Sequence, residues 1–157
     1  MADTTTGNTE NNIWPLPTFS FHVDFGTQKN IPFREISGLE SETQVINYRA
    51  GNSTAFSTIK MPGIAKYGAV TMKQGIFTNK NTFWTWYSSI TMNTVARINI
   101  DVYLLDEKGN ITMTWTLLNA WVTKISGTNL ISDGNEVAIQ TIEIAHEGLT
   151  ITNPGTK

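Results

Sequence analysis

The sequence lacks cysteine, and its 157 residues include only two histidines. Without thiols the chain can form neither disulfide bridges nor thiolate metal sites, and His22 and His146 alone cannot complete a closed zinc site. A chain of this length can bury a sizeable core without such cross-links. We therefore expect one domain over residues 13–157, with no metal site and no cofactor.

Charge is also scarce. Asp, Glu, Lys and Arg make up 15% of the chain, and the net charge is -2. The few Lys and Arg are scattered, so the protein has no basic field with which to bind nucleic acid. A polar, weakly charged surface gives little repulsion between copies, and this favours an assembling subunit over an ordinary Thr-rich β domain.

Long apolar runs are absent as well. No stretch approaches membrane-spanning length, and "MADTTTGNTENN" lacks the basic region and apolar segment of a signal peptide. The sequence thus predicts synthesis in the cytoplasm and no specific membrane binding. Residues 1–12 are polar and of low complexity, and we expect an arm that stays disordered until assembly orders it.

Several alternating patterns are present and predict β-strands. Phe19, Phe21 and Val23 alternate with Ser20 and His22, which places His22 on the wetter face of a strand. The stretch "FREISGLESETQVINYR" reads as two extended pieces that pivot at residues 37–38. The second piece has polar residues on both parities, as expected of a strand that lines a polar surface or awaits a partner.

The segment "AGNSTAFSTIKMPGIAKYGAV", residues 50–70, shows no periodicity, and the sequence predicts a long loop. Its apolar side chains are Phe56, Ile59, Met61, Ile64 and Tyr67. The loop could pack on its own domain. This much apolar surface favours instead an arm that docks on another subunit.

One helix and one hairpin are clear. In "NKNTFWTWYSSIT", Asn79 or Asn81 can cap a helix whose apolar stripe is Phe83, Trp86, Tyr87 and Ile90. Apolar residues then alternate through 98–104 and 111–117, on either side of a turn at 106–110, which predicts a hairpin with one dry and one wet face.

The final run "EVAIQTIEIAHEGLTI" changes its apolar parity between Ile139 and Ile142. This predicts a bulge near residues 140–141 or a strand buried on both faces. His146 and Glu147 are adjacent in an extended segment and would point to opposite faces, so they form a poor acid/base pair.

No enzyme is expected. With so many hydroxyl groups a Ser or Thr triad with histidine cannot be dismissed by counting, but no G-x-S-x-G elbow occurs. Asp101 with Glu143 or Glu147 is a conceivable, unsupported pair for glycoside hydrolysis. No phosphate-binding glycine loop is present, and "DGNE" at 133–136 indicates a hairpin turn rather than a calcium site.

Seven motifs in a fixed order resemble the inner-tube protein of contractile phage tails and extracellular contractile injection systems. They are "PLPTFSFHVDF", "FREISGLESETQVINYRAG", "KMPGIAKYGAVTMKQG", "FWTWY", "LLDEKGN", "LLNAW" and "EVAIQTIEIAHEGL". The resemblance implies a mainly β fold, a small β-sandwich or barrel-like domain with one flanking α-helix. It also implies hexameric rings that share one inter-subunit β-barrel and stack into a hollow tube.

The resemblance implies roles for particular residues. The subunit and ring interface would include Trp14, Pro15, Arg49, Phe56, Ile59, Met61, Pro62, Ile64, Lys66 and Tyr67. The lumen candidates are Glu40, Glu42, Gln44, Asn99, Asp101, Thr112, Thr114 and Thr116.

The resemblance also implies partners. They are further copies of the chain, a sheath protein, baseplate or spike and tube-terminator proteins, and a cargo of protein effector or DNA in the lumen. The protein would be made in the bacterial cytoplasm and become part of a phage tail or injection particle.

Two alternatives stay open. A paralogous tube-initiating or capping ring protein at the baseplate would share these motifs. From a different class, a carbohydrate-binding β-sandwich module would need a platform of exposed aromatic side chains, which Trp84, Trp115 and Trp121 could supply.

Overall fold

A computed structural model describes Thr18 and residues 20–76, 81–92 and 94–154. Within these residues the chain forms ten β-strands and one α-helix, α1 (Thr82–Ser88). The strands are β1 (Phe21–Phe25), β2 (Gln28–Ile31), β3 (Glu35–Ser37), β4 (Ser41–Tyr48), β5 (Ile59–Tyr67), β6 (Val70–Gly75), β7 (Ile98–Leu105), β8 (Ile111–Ser126), β9 (Ile139–Ala145) and β10 (Gly148–Thr152). The fold is mainly β, as predicted.

Eight strands form one antiparallel sheet in the order β2-β1-β7-β8-β9-β6-β3, with β10 paired to β8. The 16-residue strand β8 joins two halves of this sheet, because its first part pairs with β7 and β10 and its last part with β9. The register with β7 shifts near Asn119, whose φ is 51°. An irregularity of this kind bends a strand and lets the two halves face each other.

The core lies between the two halves of the sheet. Val23 and Ile100 come from one half and Met72 and Ile144 from the other, and all four side chains are fully buried in one cluster. Leu117 of β8, also fully buried, belongs to the same cluster. The predicted dry face of the β7–β8 hairpin is therefore confirmed except at Ile111, which is 42% exposed beyond a register shift.

Helix α1 covers one end of this core. Phe83 packs edge-on against Phe25 with ring centroids 5.2 Å apart, and the Trp86 Nε1 donates to the Ala96 carbonyl at 2.9 Å. The helix is confirmed, but the apolar stripe that it buries is narrower than predicted, because Tyr87 is 36% exposed. Asn81 precedes the helix without a side-chain capping bond.

The β7–β8 turn is held by one carboxylate. Asp106 Oδ1 accepts bonds from the backbone N–H groups of Lys108 at 2.9 Å and Asn110 at 2.8 Å, and the Asn110 side chain donates to Oδ2. These bonds favour the ionised form and lower the pKa of Asp106. The turn predicted at 106–110 is confirmed.

Strand β9 does not change its buried face. Ile142 and Ile144 are buried, and the pairing of β9 with β6 is regular throughout. Val137 is 73% exposed and precedes β9, which begins at Ile139. The predicted bulge at 140–141 is wrong, because the pairing with β6 has no irregularity there. Burial on both faces is also wrong, since Ile139, Thr141 and Glu143 on the other face of β9 are only half-buried.

The loop predicted over residues 50–70 is also corrected. Residues 59–67 form β5, which pairs with β4 in a separate two-stranded sheet. The register slips beside Gln44, where Gly63 and Ile64 add an extra residue to β5. Such a bulge reverses the alternation of side chains halfway along a strand, so no simple period is visible in the sequence.

Candidate functional site

The β4–β5 hairpin stands apart from the rest of the fold. Its two strands pair only with each other among the described strands. Every residue of β4 is exposed, and in β5 only Gly63 is half-buried. A two-stranded hairpin without a packed face is marginal in water, so this one needs a covering surface.

The outer half of the hairpin carries an apolar face. Ile46 lies directly opposite Met61, and Tyr48 opposite Ile59, and residues paired in this way project from the same side of the sheet. The four side chains are 47% to 66% exposed. Contiguous exposed apolar residues mark an interaction surface, whereas isolated ones do not.

The hairpin tip is ordered by Arg49. Its Nε donates to the Ala55 carbonyl at 3.2 Å and its Nη2 to the Ser53 carbonyl at 3.3 Å. The Ser53 hydroxyl in turn accepts the Ala55 N–H. These bonds hold the loop that presents Phe56, whose side chain is fully exposed at the tip.

The base of the hairpin is tightly packed. Gly38 has a φ of 85°, and a Cβ there would lie 2.2 Å from the Ala69 carbonyl oxygen. Glycine alone fits this position without strain. Tyr67, at the end of β5, stacks on His146 with ring centroids 5.4 Å apart. These contacts set how the hairpin leaves the core.

The structure brings most of the predicted interface residues together. Eight of them lie on the hairpin, namely Arg49, Phe56, Ile59, Met61, Pro62, Ile64, Lys66 and Tyr67. Trp14 and Pro15, and the predicted arm at 1–12, lie outside the described residues. Sequence reasoning missed Val45, Ile46 and Tyr48, although the run "VINY" inside a polar strand was a usable signal. The interface role of the set stays a prediction.

The predicted lumen residues separate into two groups. Asp101, Thr112, Thr114 and Thr116 lie on the outward face of the β7–β8 hairpin, and Asn99 is exposed near its end. Thr116 lies opposite Asp101 and donates to its Oδ1 at 2.7 Å. Glu40, Glu42 and Gln44 lie instead at the base and on β4 of the separate hairpin.

The polar sheet face also holds a tyrosine in an acidic setting. Tyr103 stacks on His22 with ring centroids 4.9 Å apart, and Asp101 and Asp24 lie on the same face. Burial, followed by the negative charge of Asp101 and then of Asp24, raises the pKa of Tyr103 above 10.0. The phenol therefore remains a neutral hydrogen-bonding group across the physiological range.

A pH titration tests this arrangement. Since the folded pKa of Tyr103 is raised, the contribution of this group to stability is present below pH 10.0 and is lost as pH rises through the folded pKa. Because the pKa of Tyr103 is raised, we expect Tyr103→Phe to remove the part of the tyrosinate absorbance that develops last as the pH of the folded protein is increased. Tyr87→Phe is the control, and loss of the same component in that variant would contradict the assignment.

The structure also places the residues weighed for catalysis. The His146 Nδ1 lies 3.0 Å from the Gly148 carbonyl, and its Nε2 is buried without a partner among the described residues. Glu147 is engaged elsewhere, by Arg97 and by the Asn119 amide. The two side chains do not share a proton.

The carboxylates suggested for glycoside hydrolysis have separate partners. Asp101 bonds Thr116 on β8, whereas Glu143 lies 4.0 Å from the Lys124 ammonium. In residues 20–76, 81–92 and 94–154, no three His, Asp or Glu side chains are grouped to hold a metal ion. Across the same ranges, no helix is long and apolar enough to cross a membrane.

Together, the β core and the uncovered hairpin define a subunit of a protein assembly. The sequence model of the family described as T4-like virus tail tube protein gp19 matches residues 17–150. The chain belongs to this family of contractile tail tube proteins.

Solved structures agree with this assignment. The chain is 29% identical to one from the sheath-tube complex of an extracellular contractile injection system, PVC, in the extended state. That match covers 90% of this chain and 94% of the other, with a TM-score of 0.82. This protein is also 29% identical to a chain in the structure of the anti-feeding prophage cap, a tube terminating cap, over 96% and 99% of the two chains, with a TM-score of 0.83.

A more distant structure shares the fold alone. It is Hcp1 from Flavobacterium johnsoniae, 11% identical over 85% of this chain and 94% of the other, with a TM-score of 0.55. A search of curated protein sequences finds no match.

Proposed function

We propose that six copies of this chain form a ring and that rings stack into the hollow inner tube of a contractile injection particle or phage tail. The observation that carries the proposal is the β4–β5 hairpin, whose apolar face is exposed in the isolated chain. Membership of the tail tube family supports the same conclusion. A second copy of the chain can cover this face, because every copy carries both the hairpin and the surface that receives it.

Ring closure uses the open margins of the sheet. In the described part of the chain, β2 and β3 are the two edge strands of the large sheet, and β10 pairs only with β8. Unpaired strand edges expose rows of backbone donors and acceptors that a neighbouring chain can bond. A head-to-tail contact repeated around an axis closes into a ring in which no edge is left open, and this produces the shared β-barrel.

The tube itself is a passive part of the machine. Contraction of a surrounding sheath protein drives the tube through a target envelope. Baseplate or spike proteins lie at one end of the tube, and terminator proteins lie at the other. Similarity to chains from a sheath-tube complex and from a tube terminating cap supports these partners. Protein synthesis takes place in the bacterial cytoplasm, and no catalytic step is assigned to the subunit.

The outward face of the β7–β8 hairpin is the candidate lumen surface. Thr114 and Thr116 give it hydroxyl groups, the Asp101 carboxylate already accepts a bond from Thr116, and Asp24 on the same face is paired with Lys29. A surface with few free charges and no apolar patch holds a passing protein or nucleic acid weakly. Cargo of either kind then slides along the bore.

Negative-stain electron microscopy of the concentrated, purified protein tests the proposal. We expect sixfold rings and tubes. Dispersed particles without rings at any concentration would overturn it. Rings that never stack would favour the initiating or capping paralogue.

The carbohydrate-binding alternative makes a different prediction. It requires a glycan-dependent change in tryptophan fluorescence from monomers. Trp115 packs against the core and is not available for an aromatic platform with Trp84.

A further inference from the structure

The loop formed by residues 127–138 joins β8 to β9 and contains an aspartate followed by a glycine, Asp133–Gly134. Nowhere else in the sequence does an Asp or Asn precede a glycine. Both residues are exposed, in a turn that begins at Ile131. The side chain of an aspartate can be attacked by the next backbone nitrogen, and a glycine hinders that attack least because it has no Cβ.

The Gly134 nitrogen is held weakly. Its N–H donates to the Ile131 carbonyl at 3.3 Å, which is longer than the usual range of about 2.7 to 3.2 Å. The 127–138 loop lies between β8 and β9 and outside both strands, so no ladder of sheet bonds fixes this amide. Opening one long turn bond in an exposed loop costs little free energy, and the nitrogen is then free to approach the aspartate side chain.

The Asp133 carboxylate is free as well. Among the described residues it forms no ion pair and accepts no hydrogen bond. The other described aspartates, Asp24, Asp101 and Asp106, each accept at least one hydrogen bond. Each of these three is followed by a residue with a side chain, namely Phe25, Val102 and Glu107. Asp133 therefore differs from them both in its free carboxylate and in its unhindered neighbour.

We propose that Asp133 is a site of spontaneous isoaspartate formation. The Gly134 nitrogen bonds to the Asp133 Cγ, and one carboxylate oxygen leaves as water with the amide proton and one proton from solvent, which gives a cyclic succinimide. Water then opens the ring. Cleavage between the nitrogen and Cγ restores aspartate, whereas cleavage between the nitrogen and the backbone carbonyl carbon gives isoaspartate. The reaction needs only water and does not depend on the proposed function.

The product alters the loop without changing its charge. The main chain then runs through the Asp133 Cβ, which adds one carbon to the backbone, and the freed α-carboxylate replaces the side-chain carboxylate. Leu130, Ile131 and Val137, on the two sides of the new bond, are 90%, 66% and 73% exposed, so the change affects an apolar surface that solvent contacts. Because the net charge stays at -2, detection needs an isomer-specific method.

Peptide mapping after prolonged incubation at neutral pH tests the proposal. Trypsin releases residues 125–157 as one peptide, since no Lys or Arg lies between Lys124 and Lys157, and Asp133 is the only aspartate in it. We expect this peptide to separate over time into two forms of equal mass. The new form should accept a methyl group from protein L-isoaspartate methyltransferase and resist cleavage before residue 133 by endoproteinase Asp-N. Deamidation of an asparagine in the same peptide is distinguished by its added mass. Absence of an isomer of equal mass would overturn the proposal.

Two glycine variants of the same loop give a matched comparison. In Gly134→Ala the added Cβ would lie 3.5 Å from the Ile131 carbonyl oxygen, an ordinary contact, so the turn accepts it. The methyl group hinders the attacking nitrogen, and we expect isoaspartate to form about tenfold more slowly, which corresponds to about 1.4 kcal/mol of activation free energy. Gly127→Ala adds a Cβ with nothing within 4 Å and should react at the wild-type rate. Equal rates for Gly134→Ala and Gly127→Ala would contradict the proposal.

Asp133→Asn tests the same step by accelerating it. An uncharged carboxamide is a better electrophile than a carboxylate, and it gives the same succinimide with loss of ammonia instead of water. We expect isoaspartate at residue 133 to appear sooner than in the wild-type protein, now with an increase in mass over the starting amide. A rate no higher than that of the wild type would show that the turn holds the nitrogen away from the side chain, and this would reject the site. Electron microscopy of the same samples tests the proposed tube separately.

Discussion

Ile46→Asp combined with Met61→Asp is expected to abolish tube growth while the β domain stays folded. The two side chains lie opposite each other on β4 and β5 and are 52% and 47% exposed. In the free subunit the new carboxylates remain in water, and their repulsion across the strand pair is confined to the hairpin, so the core of the domain keeps its fold. In a dry contact the same carboxylates are buried without partners, and the effective penalty is several kcal/mol per charge. Sedimentation and electron microscopy measure the loss of tubes, and circular dichroism measures the fold.

Ile111→Asp is the matched control for this variant. Ile111 is 42% exposed at the start of β8, outside the β4–β5 hairpin, and the substitution introduces one carboxylate where the double variant introduces two. We expect that control to assemble. Normal tubes from the Ile46→Asp/Met61→Asp protein would remove the hairpin from the assembly surface.

Leu117→Ala is expected to cause the largest loss of stability. Leu117 is fully buried at the centre of β8, where it pairs with Ile100 on one side and Leu149 on the other. Removing three carbon atoms from such a site leaves a cavity and costs about 2 to 5 kcal/mol of unfolding free energy. The melting temperature should fall by roughly 2 to 4 °C for each kcal/mol lost.

The neighbouring residue supplies the comparison. Leu118→Ala makes the same chemical change on the opposite face of β8, where the side chain is 39% exposed. Its cost should be well below that of Leu117→Ala in thermal or chemical unfolding. Equal losses from the two variants would contradict the assignment of the buried face.

Sequence reasoning succeeded where one element repeats one pattern without interruption. The alternation from Ile98 to Leu104 predicted the dry face of β7, and the Asp106 turn followed from residues that favour turns. It failed for β5, since Pro62 and Gly63 and the extra residue of the bulge concealed a strand. Val137 misled for a different reason, because it precedes β9 and its parity says nothing about the faces of that strand.

The candidate site was predicted in part. Apolar side chains in a segment rich in Gly, Ser and Asn pointed to the hairpin, but its first strand, β4, was predicted only as a polar strand. The apolar face exists because Ile46 and Met61 become neighbours through a register set by the bulge. No local pattern specifies that register.

Composition and local pattern by themselves predicted a mainly β domain with a weakly charged surface and a segment too apolar for an ordinary loop. These properties depend on side chains acting singly or within one element. Only the tertiary structure decided which surfaces stay uncovered, and that the hairpin and the 127–138 loop lie at opposite ends of β9. The physical reason is that strand register and sheet order join residues far apart in sequence, and the free energy of those pairings is spread over the whole core.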